Sequence, residues 1–221
     1  MKITEIYKKY KIPKNLQEHQ LKVAAVASTI CDNFKQKIDK KSVITAALLH
    51  DMGNIIKFDL GKFPEFLEPE GIEYWQQVKE EFRKKYGEDE HDATYKIAEE
   101  IGVNKSVFEI IQGYGFSKYE QTYKNPKMEV KIAAYSDHRV TPYGIASLQA
   151  RIDDLKKRYS PEESPSKEAE YYHKSSLFAK KVEKQIFENC KIKPEDIIDK
   201  NVNPLIKKLK DFDINKLAIQ I

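Results

Sequence analysis

An apolar run that ends in a His-Asp pair constrains this chain more than any other feature. Residues 43–49 are apolar on nearly every face of a helix, and His50-Asp51-Met52-Gly53 follow directly. The pattern predicts a helix buried in a core, with Gly53 just past its C-terminus. A buried imidazole and carboxylate each need a partner, and a divalent cation serves both. Taken alone, the dipeptide fits a satisfied, partly buried pair better than a metal site, so the rest of the chain decides.

The composition favours a helical protein of one domain, or of one domain with an extension. The 221 residues include only 8 glycines, while Lys, Glu, Ala, Leu and Ile are abundant. This usage is typical of all-α proteins rather than of sandwiches or doubly wound sheets. The net charge of +4 comes from 39 basic and 35 acidic residues. They are interleaved along the chain, which indicates a solvated surface and makes a nucleic acid an unexpected partner.

Cysteine usage and hydropathy set the location that we expect. Cys31 and Cys190 lie far apart and form no CxxC motif, so we expect free thiols in a reducing compartment. Residues 1–10 lack the apolar core of a signal peptide, and no window approaches the roughly 18 apolar residues of a membrane span. We therefore expect a soluble, cytoplasmic protein with no membrane partner.

Periodic apolar positions, caps and breakers predict a succession of helices. Beside the buried helix, which starts near Asp39 and Ser42, helices are predicted over residues 1–13, 14–37, 72–86, 88–101, 104–112, 128–138, 147–159 and 167–190. Two short helical pieces are predicted after Pro194 and Pro204. Residues 55–64 are predicted to form an apolar loop over a site. Residues 160–166 are the best candidate linker, which divides the chain into a domain over 1–160 and a helical extension over 161–221.

Candidate ligands follow the order His, His-Asp, Asp on three predicted helices. His19 lies on the apolar stripe of the helix that starts at residue 14, and Asp137 ends another mostly apolar helix beside His138. Each is ordinary when taken alone, because a histidine on an apolar stripe is more often a core residue and a carboxylate at a helix end is usually solvated. Their order around the His50-Asp51 pair is what stands out.

This order resembles that of the HD-domain superfamily of metal-dependent phosphohydrolases, over roughly residues 15 to 160. Residues 47–53 are similar to the apolar-helix His-Asp-x-Gly signature, and residues 135–142 to the final metal-Asp segment. The resemblance implies an all-α, HD-domain-like helical bundle with additional C-terminal helices. It also implies one divalent ion (Mn, Fe, Co, Zn or Mg) held by His19, His50, Asp51 and Asp137.

The resemblance also suggests catalytic groups. Asp51 is expected to orient the attacking water as well as to bind metal, and the positive groups Lys57, Arg139 and Arg151 are candidates to neutralise phosphate charge. His91 in Glu90-His91-Asp92 matches the first added histidine of the superfamily's two-metal members, but residues 110–115 offer no second one. We therefore expect a single ion, with His91 as an acid/base or an outer group of the site.

The favoured function is hydrolysis of a phosphate ester in a nucleotide or another small phosphorylated molecule by a metal-activated water. The alternative is a non-catalytic HD-type module that binds a nucleotide or a protein partner. A di-iron oxygenase of the same superfamily is disfavoured because the second added histidine is missing. Asn54, where many relatives carry lysine, argues against the cyclic-dinucleotide phosphodiesterase branch. The C-terminal helices either cap the pocket or form a homodimer interface, and the sequence does not choose.

Overall fold

The computed structural model describes residues 1–62, 67–159 and 166–214, and helices dominate these segments. The α-helices are α1 (Ile3–Lys9), α2 (Lys14–Asp32), α3 (Lys40–Leu49), α4 (Gly71–Tyr86), α5 (Glu90–Ile101), α6 (Lys105–Gln112), α7 (Tyr119–Lys124), α8 (Met128–Asp137), α9 (Leu148–Tyr159), α10 (Ser166–Glu188) and α11 (Asp199–Leu209). Short 3-10 turns cover Asn54–Lys57, Phe116–Lys118 and Pro194–Asp196. The predicted all-α class is confirmed.

The central element is α3, the helix that carries the His-Asp pair at its end. Every residue from Ser42 to Leu49 is buried, and the helix packs against α2, α6 and α8. Asp39 caps its N-terminus, because the carboxylate accepts a hydrogen bond from the Ser42 backbone N–H at 3.1 Å. Neighbouring helices thus enclose a helix that is apolar all round. Its C-terminal end lies between α2 and α8.

Several elements differ from the sequence-based expectation. The second helix ends at Asp32 rather than at residue 37, and α7 was not predicted. A two-residue antiparallel pair, β1 (Val140–Thr141) and β2 (Gly144–Ile145), follows α8 where only a chain break was expected. Pro204 does not start a new piece, because it lies inside the continuous helix α11. Packing of the apolar face of α11 on α2 offsets the hydrogen bond that a proline removes.

The C-terminal helices pack on the same bundle. Helix α10 contacts α7, α8 and α9, whereas α11 contacts α2. The start of α1 also meets the segment after α11, since the Ile3 backbone N–H donates a hydrogen bond to the Phe212 carbonyl at 2.9 Å. The predicted linker over 160–166, with the domain boundary at 160, lies outside the described residues except for Ser166, where α10 begins. The end of the predicted loop, residues 63–64, also lies outside them. Within the described segments, no helix has both the length and the apolar character that crossing a membrane requires.

Candidate metal centre

Three helices bring four candidate ligands to one point. His19 comes from the first third of α2, His50 and Asp51 follow α3, and Asp137 is the last residue of α8. The His19 Nε2 atom lies 3.1 Å from Asp137 Oδ1 and 3.7 Å from Asp51 Oδ2. The ligand atoms of His19, His50 and Asp51 all lie within 4.8 Å of one another. The structure therefore assembles the predicted set in a volume that suits one ion.

The His50 side chain has the burial and the orientation that are typical of a metal ligand. Its side chain is 1% exposed, and its Nδ1 atom lies 2.8 Å from the Ala47 carbonyl oxygen, so Nδ1 carries the proton that is donated there. Nε2 is the remaining ring nitrogen, and it is buried with no hydrogen-bond partner among the described residues. It lies 3.5 Å from Asp51 Oδ2 and 3.6 Å from Asp137 Oδ1. An orphaned, oriented imidazole nitrogen between two carboxylates fits a divalent ion.

The electrostatics of the cluster are strongly coupled. Burial lowers the pKa of His50, but the carboxylates of Asp51 and Asp137 outweigh burial and raise this pKa to about 9. Burial raises the pKa of Asp137, while the nearby imidazoles of His19, His50 and His138 together hold it well below its usual range. The donor set is two carboxylates and two imidazoles. Such a set suits Mn, Fe, Co or Zn and does not choose among them.

A cavity of about 630 Å³ opens over these ligands. Its size suits a nucleotide or another small organic phosphate. Four cationic side chains line it, namely Lys14, Lys22, Lys57 and Arg151. Aromatic rings also line it, those of Phe58, Tyr114, Phe116 and Tyr172. Glu18 and Glu68 line it as well. A cavity with a carboxylate floor and these cationic side chains in its walls is suited to hold a cation below an anion.

Besides Asp51, two more of the predicted catalytic groups reach this cavity. Lys57 and His91 both line it, and both lie near Glu90. The Lys57 Nζ donates a hydrogen bond to Glu90 Oε1 at 3.1 Å, and His91 Nε2 lies 3.8 Å from the same oxygen. Burial lowers the pKa of Lys57, but the charges of Asp51 and Glu90 outweigh burial and raise it. Lys57 therefore stays cationic at the cavity wall, beside His91, whose side chain is 41% exposed.

Arg139 is not brought to the cavity. The residue is 3% exposed, and its guanidinium donates to the Pro194 carbonyl at 3.1 Å and to the Ile197 carbonyl at 3.1 Å. It also donates to the Tyr135 hydroxyl at 2.6 Å and, through Nε, to the Ala146 carbonyl. We therefore correct the catalytic role predicted for Arg139: its donors are used to hold the segment before α11 against the end of α8.

Arg151, the other arginine predicted beside the phosphate, does reach the cavity. It lines the cavity, and its side chain is 15% exposed. One amino group donates to Asp154 Oδ2 at 2.8 Å, while its buried Nε atom has no hydrogen-bond partner among the described residues. The positive charge at this wall thus comes from α9 rather than from the residues directly after Asp137.

Gly53 joins the ligand loop to α5 by a close backbone approach. Its N–H donates a hydrogen bond to Thr94 Oγ1 at 2.9 Å, and a Cβ at this position would lie 2.3 Å from the Glu90 carbonyl oxygen. Only glycine permits this approach. The contact sets α5 beside the ligands and so brings Glu90 and His91 to the cavity. The sequence predicts only that Gly53 lies at a helix end, because no residue near Gly53 indicates its contact with α5.

Tyr114 is a second feature that sequence reasoning missed. The ring stacks on His50 with centroids 4.3 Å apart and an interplanar angle of 21°. Burial, with the charges of Asp137 and Asp51, raises the phenol pKa well above its usual value. The glycines on either side of Tyr114 are the one sequence signal, and they do not indicate that the ring stacks on His50.

Comparison with known proteins identifies the bundle. The HD domain family model matches residues 16–141, which is more than half of the chain and includes all four candidate ligands. No curated protein matches significantly, and no solved structure does either.

Proposed function

Because the chain belongs to the HD-domain family, we propose that it is a metal-dependent phosphohydrolase that acts on a small phosphorylated substrate. One observation carries this proposal. Four ligands converge from three helices, and the His50 Nε2 atom among them is buried with no hydrogen-bond partner in the described segments. Burying a ring nitrogen without a partner would lower the stability of a protein that never binds a cation there. The cationic side chains in the cavity walls above the ligands add groups that can bind the anionic phosphate of a substrate.

In this proposal, His19, His50, Asp51 and Asp137 hold one divalent ion. When bound, the ion lowers the pKa of water and polarises a phosphoryl group. Asp51 has a second task. Its side chain is 21% exposed at the cavity floor, so the carboxylate can orient a water molecule and accept its proton. His91, at the cavity wall, serves as the acid that protonates the leaving oxygen.

The cationic side chains then bind and orient the phosphate. Lys57 and Arg151 lie at the cavity wall, where they neutralise charge that develops on the phosphoryl oxygens. Lys14 and Lys22 extend the positive lining along α2. The aromatic rings of the cavity offer faces for a base, so a nucleotide is the substrate class that we favour.

Phosphate release is the direct test of this function. Nucleotides and other phosphate esters are incubated with the manganese-supplemented protein, with Asp51→Asn and with Asp92→Asn as a matched control. Asp92 is exposed and does not line the cavity, so its loss of charge leaves the site intact. We expect release by the wild type and the control, with a loss of more than about 100-fold in Asp51→Asn.

Two outcomes contradict the proposal. Undiminished release by Asp51→Asn would show that the hydrolysis takes place elsewhere. A protein that binds manganese but releases phosphate from no substrate would favour the non-catalytic binding module instead.

A further inference from the structure

Tyr114 is held against the candidate metal centre by an unusual stretch of backbone. A Cβ at Gly113 would lie 2.5 Å from Val130 Cγ1, so the end of α6 approaches the Val130 side chain of α8 closely and a larger residue would have to displace it. Gly115 has φ of +126°, which side chains with a Cβ rarely adopt. A close approach and a backbone conformation that favours glycine therefore flank one tyrosine. The chain between α6 and α7 is shaped to bring that ring onto His50.

The Tyr114 hydroxyl is unpaired within the part of the chain that the structure describes. The residue is 4% exposed, and its hydroxyl oxygen is buried with no hydrogen-bond partner among those residues. Other buried tyrosines differ in this respect, since the Tyr7 hydroxyl donates to the Leu48 carbonyl at 2.8 Å and the Tyr119 hydroxyl donates to the Ala134 carbonyl at 3.2 Å. A buried hydroxyl without a partner destabilises a fold, and phenylalanine would fill the same space without that cost.

The surroundings of Tyr114 indicate which kind of ligand would satisfy it. It lines the same cavity as Asp51 and Asp137, whose carboxylates are acceptors only. A tyrosine hydroxyl at neutral pH still carries its proton and can donate it to an acceptor. The oxygens of a phosphate group are acceptors, and the cationic walls of the cavity attract such a group.

We propose that the Tyr114 hydroxyl binds the substrate by donating a hydrogen bond to an oxygen of its phosphate group. This inference rests on the proposed phosphohydrolase function. It adds a neutral donor to the charged groups Lys57 and Arg151. It also assigns the segment between α6 and α7, in which no second metal-binding histidine is present, to phosphate recognition.

Tyr114→Phe tests the inference, with Tyr119→Phe as the matched control. Thermal denaturation of the metal-free proteins is measured first. We expect the melting temperature of Tyr114→Phe to equal or exceed that of the wild type, because no internal hydrogen bond is lost. The control should melt lower, because the Ala134 carbonyl loses its donor.

Binding of inorganic phosphate to the manganese-loaded proteins is measured next by calorimetry. We expect Tyr114→Phe to bind phosphate about tenfold more weakly than the wild type, while the control binds it as the wild type does and all three bind manganese equally. Equal phosphate affinity in Tyr114→Phe would overturn the inference, as would a fall in its melting temperature like that of the control. Failure of the wild type itself to bind phosphate would count against the proposed function and remove the basis of the inference.

Discussion

Replacing Gly53 with alanine tests the packing that brings α5 to the metal centre. The new Cβ would lie 2.3 Å from the Glu90 carbonyl oxygen, 2.7 Å from Ala93 Cβ and 2.9 Å from the Thr94 nitrogen. None of these atoms can rotate away, since two are backbone atoms and one is a Cβ. Overpacking costs about 1–3 kcal/mol, and stretching the Gly53 to Thr94 hydrogen bond adds about 1 kcal/mol. We expect the free energy of unfolding to fall by about 2–4 kcal/mol.

Urea denaturation measures this loss, with Gly61→Ala as the control. Among the described residues, a Cβ at Gly61 meets only Asp59 Oδ1, at an ordinary 3.5 Å, so the control should stay within about 0.5 kcal/mol of the wild type. Displacing α5 should also weaken anion binding, because Glu90 holds Lys57 at the cavity wall. If Gly53→Ala were as stable as Gly61→Ala, the ligand loop and α5 would not pack as described, and our explanation of how His91 reaches the cavity would be wrong.

Three further predictions concern individual side chains. Arg139→Gln should lower the free energy of unfolding by about 2–4 kcal/mol, since three carbonyls and one hydroxyl lose a buried donor, while manganese affinity is kept; unchanged stability in urea would contradict its role. The pKa of His50 is raised from 6.5 to about 9, so the metal-free protein holds this proton at pH 7.5. Calorimetry in two buffers should then show release of about one proton per ion, with affinity rising up to about pH 9 and levelling above it. Lys57→Ala should weaken phosphate binding about tenfold without changing manganese affinity. A loss of manganese affinity instead would contradict the assignment of Lys57 to phosphate binding.

The helical elements were largely predictable because their signals are local. Asn104 caps α6 through its side chain, which accepts a hydrogen bond from the Val107 N–H at 2.9 Å, and Gly102 ends α5 with φ of +78°. Both residue types have these preferences wherever they occur. The same holds for the apolar run of α3, whose burial follows from its lack of a polar face.

The parts that were missed depend on partners far away in the chain. The guanidinium of Arg139 finds carbonyls that are 55 and 58 residues distant, and nothing near Arg139 indicates that they will be there. Tyr114 and Gly53 acquire their importance from His50 and Glu90, which belong to other elements. Pro204 would end an isolated helix, yet packing against α2 keeps α11 continuous. Local propensity cannot report such tertiary contacts.

The measurement that tests the central claim most directly is the manganese content of the purified, manganese-loaded protein. It compares the wild type with His50→Gln and, as a control, with His173→Gln, whose side chain is exposed on α10. We expect about one ion per chain in the wild type and the control, and almost none in His50→Gln. A full ion in His50→Gln, with its affinity unchanged, would show that the orphaned Nε2 atom is not a ligand and that the metal centre does not lie at the ends of α3 and α8.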